Sequence, residues 1–181
     1  MIGNPMTRPD ISGLDPSLSC LIHGTCVEIA EKGVLILGPP GAGKSDLALR
    51  LIDEPGNGFS RTPKTAVLVA DDQVILTAEA GHLLARPPGR LEGLIEIRGL
   101  GILKVSCRPK TIVRLIVTLA AASEIERMPD PDDLVHEILS IRLPMLRLDP
   151  RFASAPARVR AALDSPYSLS VNEPTMVSTP H

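Results

Sequence analysis

The sequence predicts an α/β fold in which helices flank a mixed β-sheet. Short runs of β-branched residues bounded by turn residues recur along the chain, and one segment keeps its apolar residues at helical spacing. The length of 181 residues and the hydrophobic content of 44% suffice for one ordinary core. Because strands outnumber helices early in the chain, we expect the sheet to be mixed rather than wholly parallel.

The periodicity predicts the elements individually. Six runs are predicted to form strands, and they span residues 26–29, 34–37, 66–69, 74–77, 94–97 and 112–118. A helix is predicted over residues 46–52, where Leu47, Ala48 and Leu51 share one face. Two further helices are predicted over residues 133–139 and 156–163. The chain has one Tyr, two Phe and no Trp, so its core should be aliphatic.

Composition also predicts how the chain is divided. Residues 1–19 are rich in Pro, Gly, Ser and Asp without a period, which predicts a flexible leader. Residues 20–164 are expected to form a single domain. Residues 165–181 again contain Pro, Ser and Thr with no apolar period and are expected to be a disordered tail. Residues 54–65 hold two Pro and two Gly among polar residues, which indicates an inserted surface loop.

Charge and hydropathy argue against two classes of partner. The net charge of -2 and the lack of a basic run or an aromatic platform argue against nucleic acid. The longest apolar stretch, residues 112–122, is interrupted by Arg114 and is too short for a bilayer, so we expect no membrane partner. Cys20, Cys26 and Cys107 lack the paired spacing of a zinc site. They are expected to be reduced thiols, which together with the lack of an export signal predicts a cytoplasmic location.

The strongest motif is a phosphate-binding P-loop, G-x-x-x-x-G-K-S, between a predicted strand and a predicted helix. Its glycines let the backbone turn so that successive N–H groups form an anion-binding nest at the positive end of the helix. The lysine reaches the β- and γ-phosphates, and the serine hydroxyl is a magnesium ligand. The sequence therefore predicts a P-loop domain of the kinase type that binds a purine nucleoside triphosphate with Mg²⁺. The motif consists of Gly38, Pro39, Pro40, Gly41, Ala42, Gly43, Lys44 and Ser45.

An acidic pair, Asp71 and Asp72, follows the apolar residues 67–70. In P-loop proteins an Asp at the end of such a strand binds or orients magnesium. The chain can turn there and bring both carboxylates to the phosphate site, where one would serve the metal and the other act as a general base. The alternative is an ordinary acidic strand-to-turn junction, because Asp favours turns.

Two further segments are not specific by themselves. Residues 96–102 read E-I-R-G-L-G-I, and His23 with Gly24 precedes the P-loop strand. The G-x-G in the first segment lacks the third glycine of a dinucleotide-binding fingerprint, which argues against a nicotinamide or flavin site. A lone histidine is more often structural than catalytic.

Together these segments resemble the catalytic domain of bacterial HPr kinase/phosphorylase, the bifunctional serine kinase of the phosphotransferase system. The resemblance covers roughly residues 18–148. It rests on a His-Gly that begins fifteen residues before the P-loop, a P-loop ending in G-K-S, a V-A-D-D segment at 69–72 and an E-[IV]-R-G-L-G-[IL] signature at 96–102. The form it resembles is the short one, typical of alphaproteobacteria, that lacks the family's N-terminal domain.

The resemblance implies a function and residue roles. It implies an ATP- and Mg²⁺-dependent protein-serine kinase that acts on HPr or an HPr-like carrier and assembles as a homo-oligomer, a hexamer in this family. Which member of the acidic pair acts as the base stays open. The implied roles are those of an active-site histidine for His23, a phosphate-binding lysine for Lys44, magnesium ligands for Ser45 and Glu96, the catalytic acidic pair for Asp71 and Asp72, and a functional arginine for Arg127.

One departure from the family pattern bears on the function. Residues 147–153 do not match the P-V-[RK]-P-G-R-N loop that the family uses in dephosphorylation and in contact with HPr, so the reverse phosphorylase activity stays open. The alternative function is an ATP-binding regulatory or sensor module with little transferase activity. Retention of every candidate catalytic position favours the kinase. A small-molecule kinase would need a lid of basic residues, and the sequence shows no suitable arginine cluster.

Overall fold

A computed structural model of the chain describes residues 18–165. The predicted leader lies outside the described residues except for Leu18 and Ser19, and the predicted tail lies outside them except for Ser165. The described strands are β1 (Ser19–His23), β2 (Thr25–Ile29), β3 (Lys32–Leu37), β4 (Ala66–Ala70), β5 (Gln73–Glu79), β6 (His82–Arg86), β7 (Leu94–Ile97), β8 (Gly101–Lys104), β9 (Thr111–Leu119), β10 (Val135–Ile138) and β11 (Ile141–Leu148). The described helices are α1 (Lys44–Asp53), α2 (Ala155–Asp164) and the 3-10 turns Gly89–Leu91, Ala122–Glu124 and Pro131–Leu134.

Nine of these strands form one mixed sheet, which confirms the predicted sheet type. The order is β1-β5-β6-β9-β3-β2-β4, and β11 with its partner β10 adds to β9. β3 and β11 both pair with β9 in parallel, whereas the other pairings of this sheet are antiparallel. β7 and β8 form a separate hairpin. The P-loop strand β3 therefore lies in the interior of the sheet, between β9 and β2.

The two helices pack on the same face of the sheet. Leu47 and Leu51 of α1 and Val159 and Leu163 of α2 form one apolar core with residues of β2, β3 and β9. On the opposite face, the sheet curls so that residues of β5 and β6 cover a second core above β2, β3 and β4. The buried face predicted for α1 is confirmed. The helices flank one face of the sheet, and strands cover the other.

Most predicted elements are present, with one error of type. The six predicted strands fall within β2, β3, β4, β5, β7 and β9, and the helices predicted over 46–52 and 156–163 are α1 and α2. The helix predicted over 133–139 is wrong, because this segment ends a 3-10 turn and continues as β10. β10 pairs antiparallel with β11, and that pairing overrides a weak helical pattern. Strands β1, β6, β8 and β11 were also missed by the sequence patterns.

The loop formed by residues 54–65 is mostly exposed, as predicted. At its base the Lys64 N–H donates to the Gly56 carbonyl at 2.9 Å. The Lys64 ammonium forms an ion pair with Asp164 of α2, and the same carboxylate accepts a hydrogen bond from the Phe59 N–H at 3.1 Å. Asp164 therefore joins the loop to the end of α2.

Two expectations about the chain's environment can be compared with the fold. Among residues 18–165, no helix has both the length and the apolar character needed to cross a bilayer. All three cysteines lie within this range and none forms a disulfide. Cys26 is fully buried, while Cys20 and Cys107 are half-buried, and burial raises the pKa of the Cys20 and Cys26 thiols. The thiols are free, as the sequence predicted.

Candidate active site

The P-loop connects β3 to α1 and depends on glycine at two positions. Gly41 and Gly43 have φ angles of +77° and +96°, where residues with a side chain are strained. Gly43 is the N-cap of α1, and no side chain caps this end of the helix. The first N–H groups of α1 therefore remain for a ligand, and the helix dipole adds positive potential there. This arrangement is suited to binding an anion.

Lys44 begins α1 and is only 6% exposed. Its ammonium donates hydrogen bonds to the carbonyl oxygens of Gly38 and Pro39, each at 3.0 Å. Burial lowers the pKa of Lys44, and the carboxylates of Asp71 and Asp72 partly oppose this effect. The lysine thus lies against the loop that would bind phosphate, with its charge directed at loop carbonyls.

A cavity of about 490 Å³ lies beside the P-loop and brings most of the predicted site residues together. Gly38, Pro39 and Ala42 belong to the loop but do not line the cavity. Arg127 is exposed in the segment between β9 and β10, and it does not line the cavity either. The lining residues are His23, Thr25, Pro40, Gly41, Gly43, Lys44, Ser45, Asp46, Leu49, Asp71, Asp72, Glu96, Ile97 and Arg98.

Asp71 follows β4 and is 4% exposed. Its Oδ1 accepts hydrogen bonds from the hydroxyls of Thr25 at 2.7 Å and Ser45 at 2.8 Å. Its Oδ2 accepts one from the backbone N–H of Glu96 at 3.1 Å. Because the three donors come from β2, α1 and β7, this carboxylate is held in one orientation by three separate elements of the fold.

Asp72 differs from its neighbour in almost every respect. Its side chain is 59% exposed, and its Oδ1 lies 3.1 Å from Nδ1 of His23. Its φ of +66° is a strained value for a residue with a side chain. A tight turn imposes this conformation: the Gln73 N–H donates to the Asp71 carbonyl at 2.8 Å, and the Gly24 N–H donates to the Asp72 carbonyl at 3.2 Å. The turn sends one carboxylate inward and leaves the other at the mouth of the cavity.

The segment E-I-R-G-L-G-I forms most of the β7–β8 hairpin, in which Glu96 lies opposite Ile102. The side chain of Glu96 is exposed and lines the cavity, while its backbone contacts Asp71. Arg98, two residues later, also lines the cavity. The hairpin therefore forms one wall of the site and contributes a charge of each sign.

Sequence reasoning missed five residues of the cavity: Thr25, Asp46, Leu49, Ile97 and Arg98. For Thr25 a signal was present, because it follows His23 by two positions and alternate residues of an extended segment share a side. For Ile97 and Arg98 a signal was also present, because both lie inside the E-I-R-G-L-G-I segment. Asp46 and Leu49 belong to the predicted helix, and nothing in the sequence separates them from its solvent-exposed face.

The turn after β11 lies against the P-loop helix. Arg50 of α1 donates to the Pro150 carbonyl at 2.5 Å, and a Cβ atom at position 43 would lie 3.5 Å from the Pro150 ring. Asp149 accepts hydrogen bonds from the guanidinium of Arg151 and from the N–H of Ala122, and the Arg151 contact is the main reason that the pKa of Asp149 is lowered. The segment 147–153, which does not match the P-V-[RK]-P-G-R-N pattern, thus packs beside the P-loop and α1.

The donor atoms at the cavity suit Mg²⁺ bound together with a nucleotide. Among residues 18–165, no group of three or more His, Cys, Asp or Glu could hold a metal by itself. Mg²⁺ in phosphoryl-transfer sites is usually bound through one or two protein oxygens together with phosphate oxygens and water. The cavity offers the Ser45 hydroxyl and the carboxylates of Asp71 and Glu96, which are hard oxygen donors of the kind that Mg²⁺ prefers.

Comparison with known proteins decides the family. Residues 17–159 match the family model described as the HPr Serine kinase C-terminal domain. The chain belongs to this family. The match covers the second core, all of the first core except the end of α2, the P-loop, the acidic pair and the β7–β8 hairpin, and it confirms the resemblance found from the sequence motifs.

Full-length relatives of the HPr serine kinase family are longer than this chain. The HPr kinase/phosphorylase of Bordetella pertussis is 37% identical over 131 residues, which are 66% of this chain and 39% of the relative. That of Aromatoleum aromaticum is 39% identical over 134 residues, which are 70% of this chain and 36% of the relative. The chain therefore spans about two fifths of the length of these relatives.

A solved structure supports the fold. The Hpr(Ser) kinase/phosphatase from Coxiella burnetii superimposes with a TM-score of 0.65 at 26% sequence identity, covering 85% of this chain and 99% of that one. The α/β class with a mixed sheet, predicted from the sequence, is confirmed by this likeness.

Proposed function

We propose that the chain is an ATP- and Mg²⁺-dependent protein-serine kinase that phosphorylates HPr or an HPr-like carrier. The observation that carries the proposal is the cavity in which an uncapped helix N-terminus, Lys44 and two differently held carboxylates meet. A site that only senses a nucleotide needs the first two features. An accessible carboxylate beside the phosphate-binding loop is useful chiefly for taking a proton from an acceptor.

The different surroundings of Asp71 and Asp72 suit them to different roles. Asp71 already accepts three hydrogen bonds, one of them from Ser45, and so is suited to orienting the metal-binding serine. Asp72 is exposed at the cavity mouth and oriented by His23. In this proposal Asp72 is the general base and Asp71 the orienting residue.

The reaction then follows from the positions of these groups. The acceptor serine gives its proton to Asp72 as its oxygen bonds to the γ-phosphorus, and the bond from that phosphorus to the β–γ bridging oxygen breaks to release ADP. Lys44 exchanges its two carbonyl partners for phosphate oxygens and offsets their charge. Ser45 and Glu96 would hold Mg²⁺, which would supply positive charge against the phosphate oxygens.

The proposal is tested with γ-labelled ATP, Mg²⁺ and purified HPr. We expect wild type to label a serine of HPr, and Asp72→Asn to lower the rate at least about a hundredfold while ATP binding is retained. Asparagine is suitable here because it tolerates a positive φ. Asp71→Asn is the comparison variant, and it should weaken Mg²⁺-dependent ATP binding. If wild type binds ATP and labels no serine, the chain is a regulatory nucleotide-binding module instead.

The reverse direction is a separate measurement. Incubation of serine-phosphorylated HPr with excess inorganic phosphate should release pyrophosphate if the chain is also a phosphorylase. A blank result would confine the activity to the kinase direction and would point to the turn at residues 149–152, which differs from the family loop. The homo-oligomeric assembly, a hexamer by resemblance, and the cytoplasmic location remain predictions.

A further inference from the structure

Thr25 is a buried polar residue at the start of β2 to which the motifs assign no role. It is fully buried, and the next two residues of the strand, Cys26 and Val27, are buried apolar side chains. Its hydroxyl donates to Oδ1 of Asp71 at 2.7 Å, the short distance typical of a hydroxyl bound to a carboxylate. A hydroxyl in such surroundings is unfavourable unless it is hydrogen-bonded, and here the partner belongs to the candidate site.

The Thr25 bond and the Ser45 bond end on the same oxygen. Oδ1 of Asp71 accepts both hydroxyl hydrogens, at 2.7 Å from Thr25 and 2.8 Å from Ser45. A hydroxyl that donates its hydrogen keeps its lone pairs. When Ser45 donates to Asp71, its oxygen is therefore left to act as a ligand. Whatever fixes the direction of Oδ1 also fixes the direction in which Ser45 presents that oxygen.

The backbone around Thr25 holds its hydroxyl in a fixed position. Its strand pairs with β3, which leads into the P-loop, and with β4, which leads into Asp71. The preceding residues His23 and Gly24 contact Asp72 through a side chain and a backbone N–H. Three consecutive residues thus hold the acidic pair from one side.

We propose that Thr25 is a positioning residue that orients Asp71, and through it Ser45, and so sets the affinity of the site for Mg²⁺ bound with nucleotide. The inference rests on the proposed nucleotide-dependent function. Groups that orient a metal ligand commonly change metal affinity by about tenfold to a hundredfold when removed, and because Thr25 acts on the ligand Ser45 through Asp71, we expect the lower end of that range.

The test compares the full chain with Thr25→Val, which removes the hydroxyl and keeps the shape, and Thr25→Ser, which keeps the hydroxyl. Binding of a non-hydrolysable ATP analogue is titrated against Mg²⁺, and ADP binding is measured without Mg²⁺. We expect Thr25→Val to raise the Mg²⁺ concentration for half-maximal binding by about tenfold. Thr25→Ser should remain near wild type, and ADP binding without Mg²⁺ should be alike in all three.

Several outcomes would overturn the proposal. The first two are an unchanged Mg²⁺ dependence in Thr25→Val and a shift in Thr25→Ser as large as that in Thr25→Val. The third is a loss of ADP binding without Mg²⁺ in Thr25→Val that equals its loss of analogue binding with Mg²⁺. The fourth is a wild type whose nucleotide binding does not depend on Mg²⁺. If Thr25→Val does not fold, Thr25→Ala replaces it, because Ala and Ser differ only in the hydroxyl. No acceptor protein is present in these assays. A wild type that binds Mg²⁺ and nucleotide but phosphorylates no HPr would therefore refute the proposed function without deciding against Thr25.

Discussion

The two ends of α1 satisfy their backbone groups in different ways. At the C-terminal end, the carbonyl oxygens of Leu51 and Glu54 accept hydrogen bonds from the guanidinium of Arg160, which is 2% exposed. At the N-terminal end, Gly43 has no side chain to offer and no other side chain caps the helix. Every α-helix leaves N–H groups at its start and carbonyl groups at its end without helical partners.

The difference shows which end serves folding and which serves binding. Arg160 comes from α2 and also donates to the carbonyl of Lys64 at 3.2 Å, so it joins α1, α2 and the loop 54–65. Burial lowers the pKa of Arg160, with Glu54 partly opposing the effect. The C-terminal end of α1, bound by Arg160, is called the closed end below, and the N-terminal end at Gly43 the open end. The open end, in contrast, combines N–H groups that no side chain caps with the buried ammonium of Lys44. Changes at the open end should therefore affect chemistry, and changes at the closed end should affect stability.

The largest effect is expected at the open end. Lys44→Met should lower phosphate transfer to HPr by about a thousandfold, because the site loses a positive charge directed at the transferring group. The melting temperature should change little, since the substitution removes an ammonium that burial desolvates, and its carbonyl partners belong to the half-buried Gly38 and the exposed Pro39. Activity is measured with labelled ATP and stability by thermal denaturation.

Lys110→Met is the matched control, because this lysine is exposed, belongs to none of the motifs and does not line the cavity. The comparison between the two ends would be wrong if Lys44→Met unfolded the chain, or if it retained the activity of the control.

A smaller effect, on stability alone, is expected at the closed end. Arg160→Met keeps the aliphatic part of the side chain and leaves three carbonyl oxygens without their donor, which should lower the free energy of unfolding by about 3 kcal/mol. Chemical denaturation measures this change. Nucleotide affinity, measured where the variant remains folded, should be unaltered.

The control is Arg158→Met on the same helix, where the arginine is exposed and stacks on Phe152 at 5.0 Å. A variant at Arg160 that is as stable as this control, or that loses nucleotide affinity while folded, would contradict the assignment of this end to folding.

The smallest effect concerns the ion pair between Lys64 and Asp164, which joins the loop 54–65 to α2. The hydrogen bond from Lys64 lowers the pKa of Asp164, and the Phe59 N–H adds to this against the effect of burial. Because the folded-state pKa is lowered, the stabilisation is complete above the unfolded value of about 4 and is lost as the pH falls through the folded value.

Asp164→Asn should therefore lower the free energy of unfolding by about 1 kcal/mol at pH 7. This difference between wild type and variant should shrink below about pH 4, where the wild-type carboxylate becomes protonated. Denaturation curves between pH 7 and pH 3 would measure it, and Asp53→Asn, an exposed site at the end of α1, serves as control. A difference that stays constant with pH would show that the carboxylate charge is not involved.

The open end of α1 could be predicted from the sequence, and the closed end could not. The P-loop is a local pattern in which strand, glycines, lysine and helix follow one another within a few residues. Arg160 lies 109 residues from its acceptor Leu51, and a helical arginine in the sequence resembles a solvent-exposed one. Its burial depends on how α2 docks against α1, which no local pattern contains.

The surroundings of the acidic pair and the missed strand β11 also depend on contacts between residues far apart in the sequence. The sequence placed Asp71 and Asp72 after a strand, but their different surroundings depend on a turn and on Thr25, which is 46 residues from Asp71. β11 was missed because charged residues and Pro144 interrupt its apolar pattern. Its pairing with β9 is a long-range contact, and β10 takes its extended form from its own pairing with β11.

The bridge between Gly56 and Lys64 has a practical consequence. It closes the base of the loop 54–65, so residues 61–63 form an exposed tip whose conformation the sheet does not require. Exposed tips of this kind accept insertions readily. Residues 61–63 follow the C-terminal end of α1, a helix of ten residues and about 15 Å, whereas the P-loop precedes its N-terminal end, and none of them lines the cavity. An epitope tag or a fluorophore placed there should therefore leave the nucleotide cavity open.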